Sequence, residues 1–123
     1  MKPYLIFLLL IFLAQTACTS KTQSITDFDG ELSENEVLID VRTPEEYSKG
    51  YIEKAVNIDV KSDDFVEKVE QIDKNKNVYL YCQSGGRSLK ASKILDSLGF
   101  KHVYNLDGGF TAWKEAGRDY VEE

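Results

Sequence analysis

The chain has 123 residues, with 15 Lys and Arg against 21 Asp and Glu, a formal charge of −6. That length is one domain's worth, and a chain 42% hydrophobic and 29% charged can bury a core rather than stay disordered. The acidic balance argues against a nucleic-acid binder, and two cysteines with one histidine are too few for a Cys/His zinc cage or a disulfide framework.

Tyr4 to Ala14 is an almost unbroken apolar run, with Lys2 before it and the polar stretch Thr19 to Ser24 after it. It fits the hydrophobic region of a secretory signal and falls short of the about 20 residues of a membrane span. A buried helix is the competing reading, but apolar residues without an amphipathic period would expose a greasy face. Leu13-Ala14-Gln15-Thr16-Ala17-Cys18 resembles a bacterial lipobox, which implies that Cys18 becomes the lipidated first residue. Gln15 departs from the aliphatic residue usual there, and a cut for soluble secretion is the alternative. On this reading 1–17 is a signal peptide, 18–26 a flexible tether and 27–123 a single domain. The protein is then expected in the bacterial cell envelope or periplasm, touching membrane only through its lipid anchor.

Val37 to Val41 has the length and apolar content of a strand. Pro44 suits the first turn of a helix, with Thr43 as its N-cap, Glu45 and Glu46 at its positive end and Gly50 as its stop. Ala55 to Ile58 reads as a second brief strand. Phe65, Val66, Val69 and Ile72 recur at helical spacing and predict a helix over Asp63 to Ile72. Val78 to Tyr81 is continuously apolar, as in a strand buried on both faces. Ser88 to Leu98 places Leu89, Ile94, Leu95 and Leu98 on one side of a helix that Gly99 ends. His102 to Asn105 is the fourth strand and Gly109 to Ala116 the last helix. The alternation predicts an α/β fold, a parallel-type sheet with helices on both faces and a site beyond the carboxyl ends of its strands.

Cys82-Gln83-Ser84-Gly85-Gly86-Arg87-Ser88 lies at such an end, joining a buried strand to a helix. Free N–H groups at a helix start favour thiolate over thiol, and Gly85 and Gly86 let the backbone curl its amides inward. Two readings stand for the cysteine: a reactive nucleophile, or a buried structural thiol with glycines that only turn the chain.

Three blocks in order resemble the rhodanese domain family: Leu38 to Arg42 with Pro44 to Tyr47 and Gly50 to Ile52; Tyr81 to Ser88; and Leu98 to Phe100 with Val103 to Phe110 and Trp113. The resemblance covers about Glu36 to Ala116 and implies a three-layer rhodanese-like fold with a central, mainly parallel sheet. It also implies sulfur transfer. Cys82 would take the outer sulfur of a small sulfur-containing anion such as thiosulfate, hold it as a persulfide, and pass it to a thiol or cyanide. Gln83, Ser84, Gly85, Gly86, Arg87 and Ser88 would form the loop that binds substrate, with Asp40 and Arg42 bracing it. No cofactor or metal is implied, and a monomer is the expectation at this size. Gln83 replaces an arginine often found after the cysteine, and Tyr51 stands where histidine is common.

Rivals from other classes are weaker. A phosphatase of related fold needs one more residue between cysteine and arginine than separates Cys82 from Arg87. A dithiol exchange enzyme needs a second cysteine in the folded body. The alternative kept open is a non-catalytic or weakly catalytic module, a persulfide carrier or a binder of an acceptor protein. Gly108 and Gly109 read as the turn into the last helix, and Trp113 as core.

Overall fold

The computed structural model describes residues 20–122. The signal peptide expected over 1–17 and the lipidation site expected at Cys18 lie outside the described residues. Among them no helix is long and apolar enough to cross a membrane.

Five strands form one sheet in the order β1-β5-β4-β2-β3, with every neighbouring pair parallel. They are β1 (Lys21–Ser24), β2 (Glu36–Asp40), β3 (Val56–Asn57), β4 (Asn77–Tyr81) and β5 (His102–Asp107). The helices are α1 (Pro44–Ser48), α2 (Phe65–Val69), α3 (Gly86–Ser97) and α4 (Gly109–Glu115), and a 3-10 turn spans Ile25–Asp27. The alternating faces of the strands split the core. Val78, Leu80, Cys82 and Val103 pack with Phe65 and Val69 of α2 and Ala91 and Leu95 of α3. Leu38, Tyr81 and Leu106 pack on the other side with Ile25, Phe28, and Phe110 and Trp113 of α4. Helices therefore cover both faces, the arrangement in which a parallel sheet is stable.

The chain leaves β2 toward β3 on one side and leaves β4 toward β5 on the other. The carboxyl ends of neighbouring β2 and β4 are thus the switch point where such sheets open a crevice. Arg42 and Cys82 follow those two strands.

Three expectations need correction. The polar stretch assigned to the tether over 18–26 contains β1, paired with β5 from Lys21↔Tyr104 to Ser24↔Asp107. Ser20 N–H already bonds Asp96 at 2.7 Å, and Ile25 is fully buried. A short polar strand on a sheet edge carries no apolar signal, so composition alone resembles a spacer. The helix around Phe65 runs only from Phe65 to Val69. In α3 the buried residues are Ser88, Ala91, Ser92 and Leu95, while Leu89 is exposed. The helix starts two residues earlier than expected, and small side chains face the sheet.

Candidate active site

Cys82 is the residue after β4 and is only 1% exposed. Gly85 N–H donates to its Sγ at 2.9 Å, and the thiol meets Ser88 Oγ at 3.5 Å. Burial pushes the thiol pKa up. The Ser88 hydroxyl and the backbone N–H groups of Ser88, Gly85 and Ser84 more than offset this, and the net direction is down.

The loop holds this shape for identifiable reasons. Gly85 sits at φ +126, and a Cβ there would stand 2.8 Å from Asp107 Oδ1. Its carbonyl accepts from Leu89 N–H at 3.1 Å, so it opens α3. The outer rim is held by the start of α4: Phe110 N–H donates to Cys82 O at 2.8 Å and Thr111 N–H to Gln83 O at 3.1 Å. With those two carbonyls drawn outward, the following amides turn toward the sulfur. Gly109 lets α4 come this close, at φ +61. Reading Gly108 and Gly109 as a turn missed this role. Two glycines before a helix carry no signal of what the helix will touch.

Asp40 and Arg42 form a fully buried ion pair, with Nη2 to Oδ2 at 2.6 Å. Arg42 also donates to Gly50 O at 2.7 Å and to Gln83 Oε1 at 3.1 Å, and its guanidinium lies 4.4 Å from the Phe110 ring centre. Gln83 Nε2 donates to Thr111 Oγ1 at 2.8 Å. The Gln83 side chain therefore ties the loop to β2 and α4. An arginine there could not accept from Arg42. Ser84 and Gly86 are exposed on the loop's outer side. Beside the loop is a cleft of about 170 Å³ lined by Arg42, Glu46, Lys49, Gln83, Phe110 and Lys114. With Arg42 paired to Asp40 and Glu46 to Arg87, Lys49 and Lys114 supply the positive charge of this cleft. His102 is exposed at the far end of β5.

Arg87 forks onto Glu46, with Nη1 to Oε1 at 2.7 Å and Nη2 to Oε2 at 2.9 Å. Glu46 also closes a capping box with Thr43 at the start of α1. The sequence gives Glu46 the cap position but not the partner across the loop. The Arg87 fork first, with the Thr43 bonds against burial, lowers the Glu46 carboxyl to about 2. Because the folded value is depressed, the stabilisation is present above the ordinary value of 4.5 and fades as pH falls toward 2. Glu46→Gln can keep the capping box through its one remaining oxygen, and it removes the charge together with one leg of the Arg87 fork, because an amide nitrogen cannot accept. The Tm gap between parent and variant should be greatest near neutral pH and close toward pH 2. Both groups are partly exposed, so the gap should be a few degrees and shrink in salt. A gap independent of pH would contradict the assignment.

Among the described residues no cluster of His, Cys, Asp and Glu could hold a metal ion.

A buried thiol ringed by inward backbone donors thus sits at the switch point of a parallel α/β sheet. The family follows from comparison. Residues 24–116 match the Rhodanese-like domain, and the chain belongs to that family. It is 45% identical over 84 residues to the Bacillus subtilis protein YtwF, covering 68% of this chain and 79% of that protein. It is 39% identical over 89 residues to thiosulfate sulfurtransferase 16 of Arabidopsis thaliana, covering 64% and 74%. Among solved structures, the rhodanese-like domain of an Anabaena protein superposes with a TM-score of 0.75 at 25% identity, covering 85% and 81%.

Proposed function

We propose that the protein is a sulfurtransferase that works through a persulfide on Cys82. The observation that carries this reading is the short bond from Gly85 N–H to Sγ within a ring of donors, an environment suited to a sulfur anion. The Cys82 thiolate attacks the outer sulfur of thiosulfate. The sulfur–sulfur bond breaks, its electron pair leaves with sulfite, and Cys82 keeps the outer sulfur as a persulfide anion. A thiolate or cyanide then attacks that sulfur, the new sulfur–sulfur bond breaks, and its electron pair returns to Cys82 as thiolate. The product is a persulfide or thiocyanate, and no external oxidant is needed. Burial of Cys82 favours slim donors that lead with a terminal sulfur, and the cations of the cleft favour anions. Asp40 and Arg42 act through Gln83 as positioning residues.

The leader sequence supports a second part of the same reading, export with lipidation at Cys18. The sheet begins at Lys21, so little chain would separate such an anchor from the amino ends of the strands. Cys82, at the carboxyl ends, would face away from the bilayer.

Steady-state assays test the reading. With thiosulfate and cyanide varied together, reciprocal plots should be parallel, as two half-reactions sharing an intermediate require. Intersecting lines would point to a ternary complex. Absence of turnover with thiosulfate and with persulfide donors would leave the carrier or binding module as the better reading.

A further inference from the structure

We propose that Asn105 is a positioning residue that reverses a chain of hydrogen bonds, running from Thr22 at the sheet edge through buried Asn105 and Ser88 to Cys82, whenever the sulfur becomes an anion. The inference rests on Cys82 working as an anion and goes beyond it by assigning how the protein accommodates that charge.

Asn105 lies on β5 opposite Leu80 of β4 and Thr22 of β1. It is 2% exposed on the strand face shared with Val103, where an amide is costly unless bonded. Ser88 Oγ, fully buried, stands 2.6 Å from Asn105 Oδ1, 3.1 Å from Gly85 O and 3.5 Å from Cys82 Sγ. Asn105 Nδ2 reaches Thr22 Oγ1 at 3.5 Å.

Ser88 has a single hydroxyl proton, and counting protons defines two arrangements. With Cys82 as a thiol, S–H donates to Ser88, Ser88 donates to Asn105 Oδ1, and Nδ2 donates to Thr22. A thiolate or persulfide only accepts, so the Ser88 proton must turn to sulfur. The hydroxyl lone pairs would then face Asn105 Oδ1 at hydrogen-bond distance, an unfavourable contact. Turning the amide over resolves it. Nδ2 then donates to Ser88 Oγ, and Oδ1 accepts from the Thr22 hydroxyl. The terminal torsion of asparagine has two broad wells, and the hydroxyls at both ends donate or accept, so the four members of the chain stay paired with one another in both states, while Gly85 O keeps its bond from Leu89 N–H. An aspartate could only accept and a leucine could do neither. The charged groups around the loop are Arg87 from α3, Asp107 beside Gly85 and the Asp40–Arg42 pair; the leucine variant leaves all of them in place and adds no charge.

The test is the pH dependence of iodoacetamide alkylation in the full chain, read on the Cys82 peptide by mass spectrometry. It reports the thiolate whether or not any donor is turned over, so it stands apart from the sulfur-transfer assay. Asn105→Leu should raise the alkylation midpoint by about one pH unit, because Ser88 loses the donor behind its bond to the sulfur anion, and Asn105→Asp by more, because it also adds a carboxylate near the sulfur. Thr22→Val, on an exposed edge that should fold normally, should raise it by less. A midpoint unchanged or lowered in folded Asn105→Leu would overturn the proposal, the lowered case meaning that Asn105 merely competes for the Ser88 proton. Should the Asn105 variants fail to fold, the side-chain amide resonances of Asn105 in the parent decide. They should shift with the Cys82 titration, and resonances constant through it would overturn the relay.

Discussion

Cys82→Ser is expected to reduce sulfur transfer to the uncatalysed level while the protein stays folded. Serine fits the same space, keeps the backbone and costs about 1 kcal/mol or less in stability. The chemistry does not survive. A hydroxyl at the end of β4 has a pKa far above any working pH, and among the described residues the groups against it, Ser88 Oγ and Gly85 N–H, include no base to take its proton. The donors that lower the thiol are also set for sulfur, with Gly85 N–H 2.9 Å from Sγ, and the shorter C–O bond would draw an oxygen away from them. Thiocyanate formation and thermal unfolding, measured together, check this. Turnover retained by a folded variant would place the nucleophile elsewhere, and Cys18 is the other cysteine of the chain.

The second large effect is expected at a residue that touches no substrate. At Gly109 an added Cβ would stand 2.5 Å from the carbonyl oxygens of both Cys82 and Gln83. Backbone atoms cannot yield as a flexible side chain does, so Gly109→Ala must push α4 from the loop. The bonds from Phe110 and Thr111 that hold those carbonyls outward would lengthen, and the amides facing the sulfur would lose their aim. A misplacement of order 1 Å in a positioned group costs about 100-fold, the drop expected in kcat/KM. The left-handed backbone at φ +61 adds about 1–2 kcal/mol for an L side chain, so Tm should also fall by at least about 5 °C. Gly86→Ala is the control for stability, since nothing lies within 4 Å of the added carbon. Its Tm should match the parent. Equal kcat/KM for parent and Gly109→Ala would show that the α4 contact does not set the loop.

Much of this arrangement was legible in the chain because it is local. The Thr43–Glu46 box, Pro44 at the helix start and the apolar run Val78 to Tyr81 write their structure into neighbouring residues. So does the Cys82 to Ser88 loop, whose glycines and following helix foretell inward amides. What could not be read depends on contacts between segments far apart in sequence. Glu46 meets Arg87, Gly109 meets Cys82 and Asn105 meets Ser88 only once the sheet has formed. Asn105 did leave a trace, since strict alternation from Val103 puts an amide on a core face. Such a residue needs a partner, and the search for one leads to the serine behind the nucleophile. β1 left none, because an edge strand of hydroxyl and charged side chains reads as linker until its partner is known.

The central claim is that Cys82 carries the sulfur, and intact-protein mass spectrometry tests it most directly. The reduced protein is weighed before and after thiosulfate, with Cys82→Ser in parallel and cyanide added last. The account predicts a gain of one sulfur atom on the parent alone, lost to cyanide as thiocyanate appears. A folded, reduced parent that takes up no sulfur from thiosulfate or a persulfide donor, or an equal gain on Cys82→Ser, would contradict it.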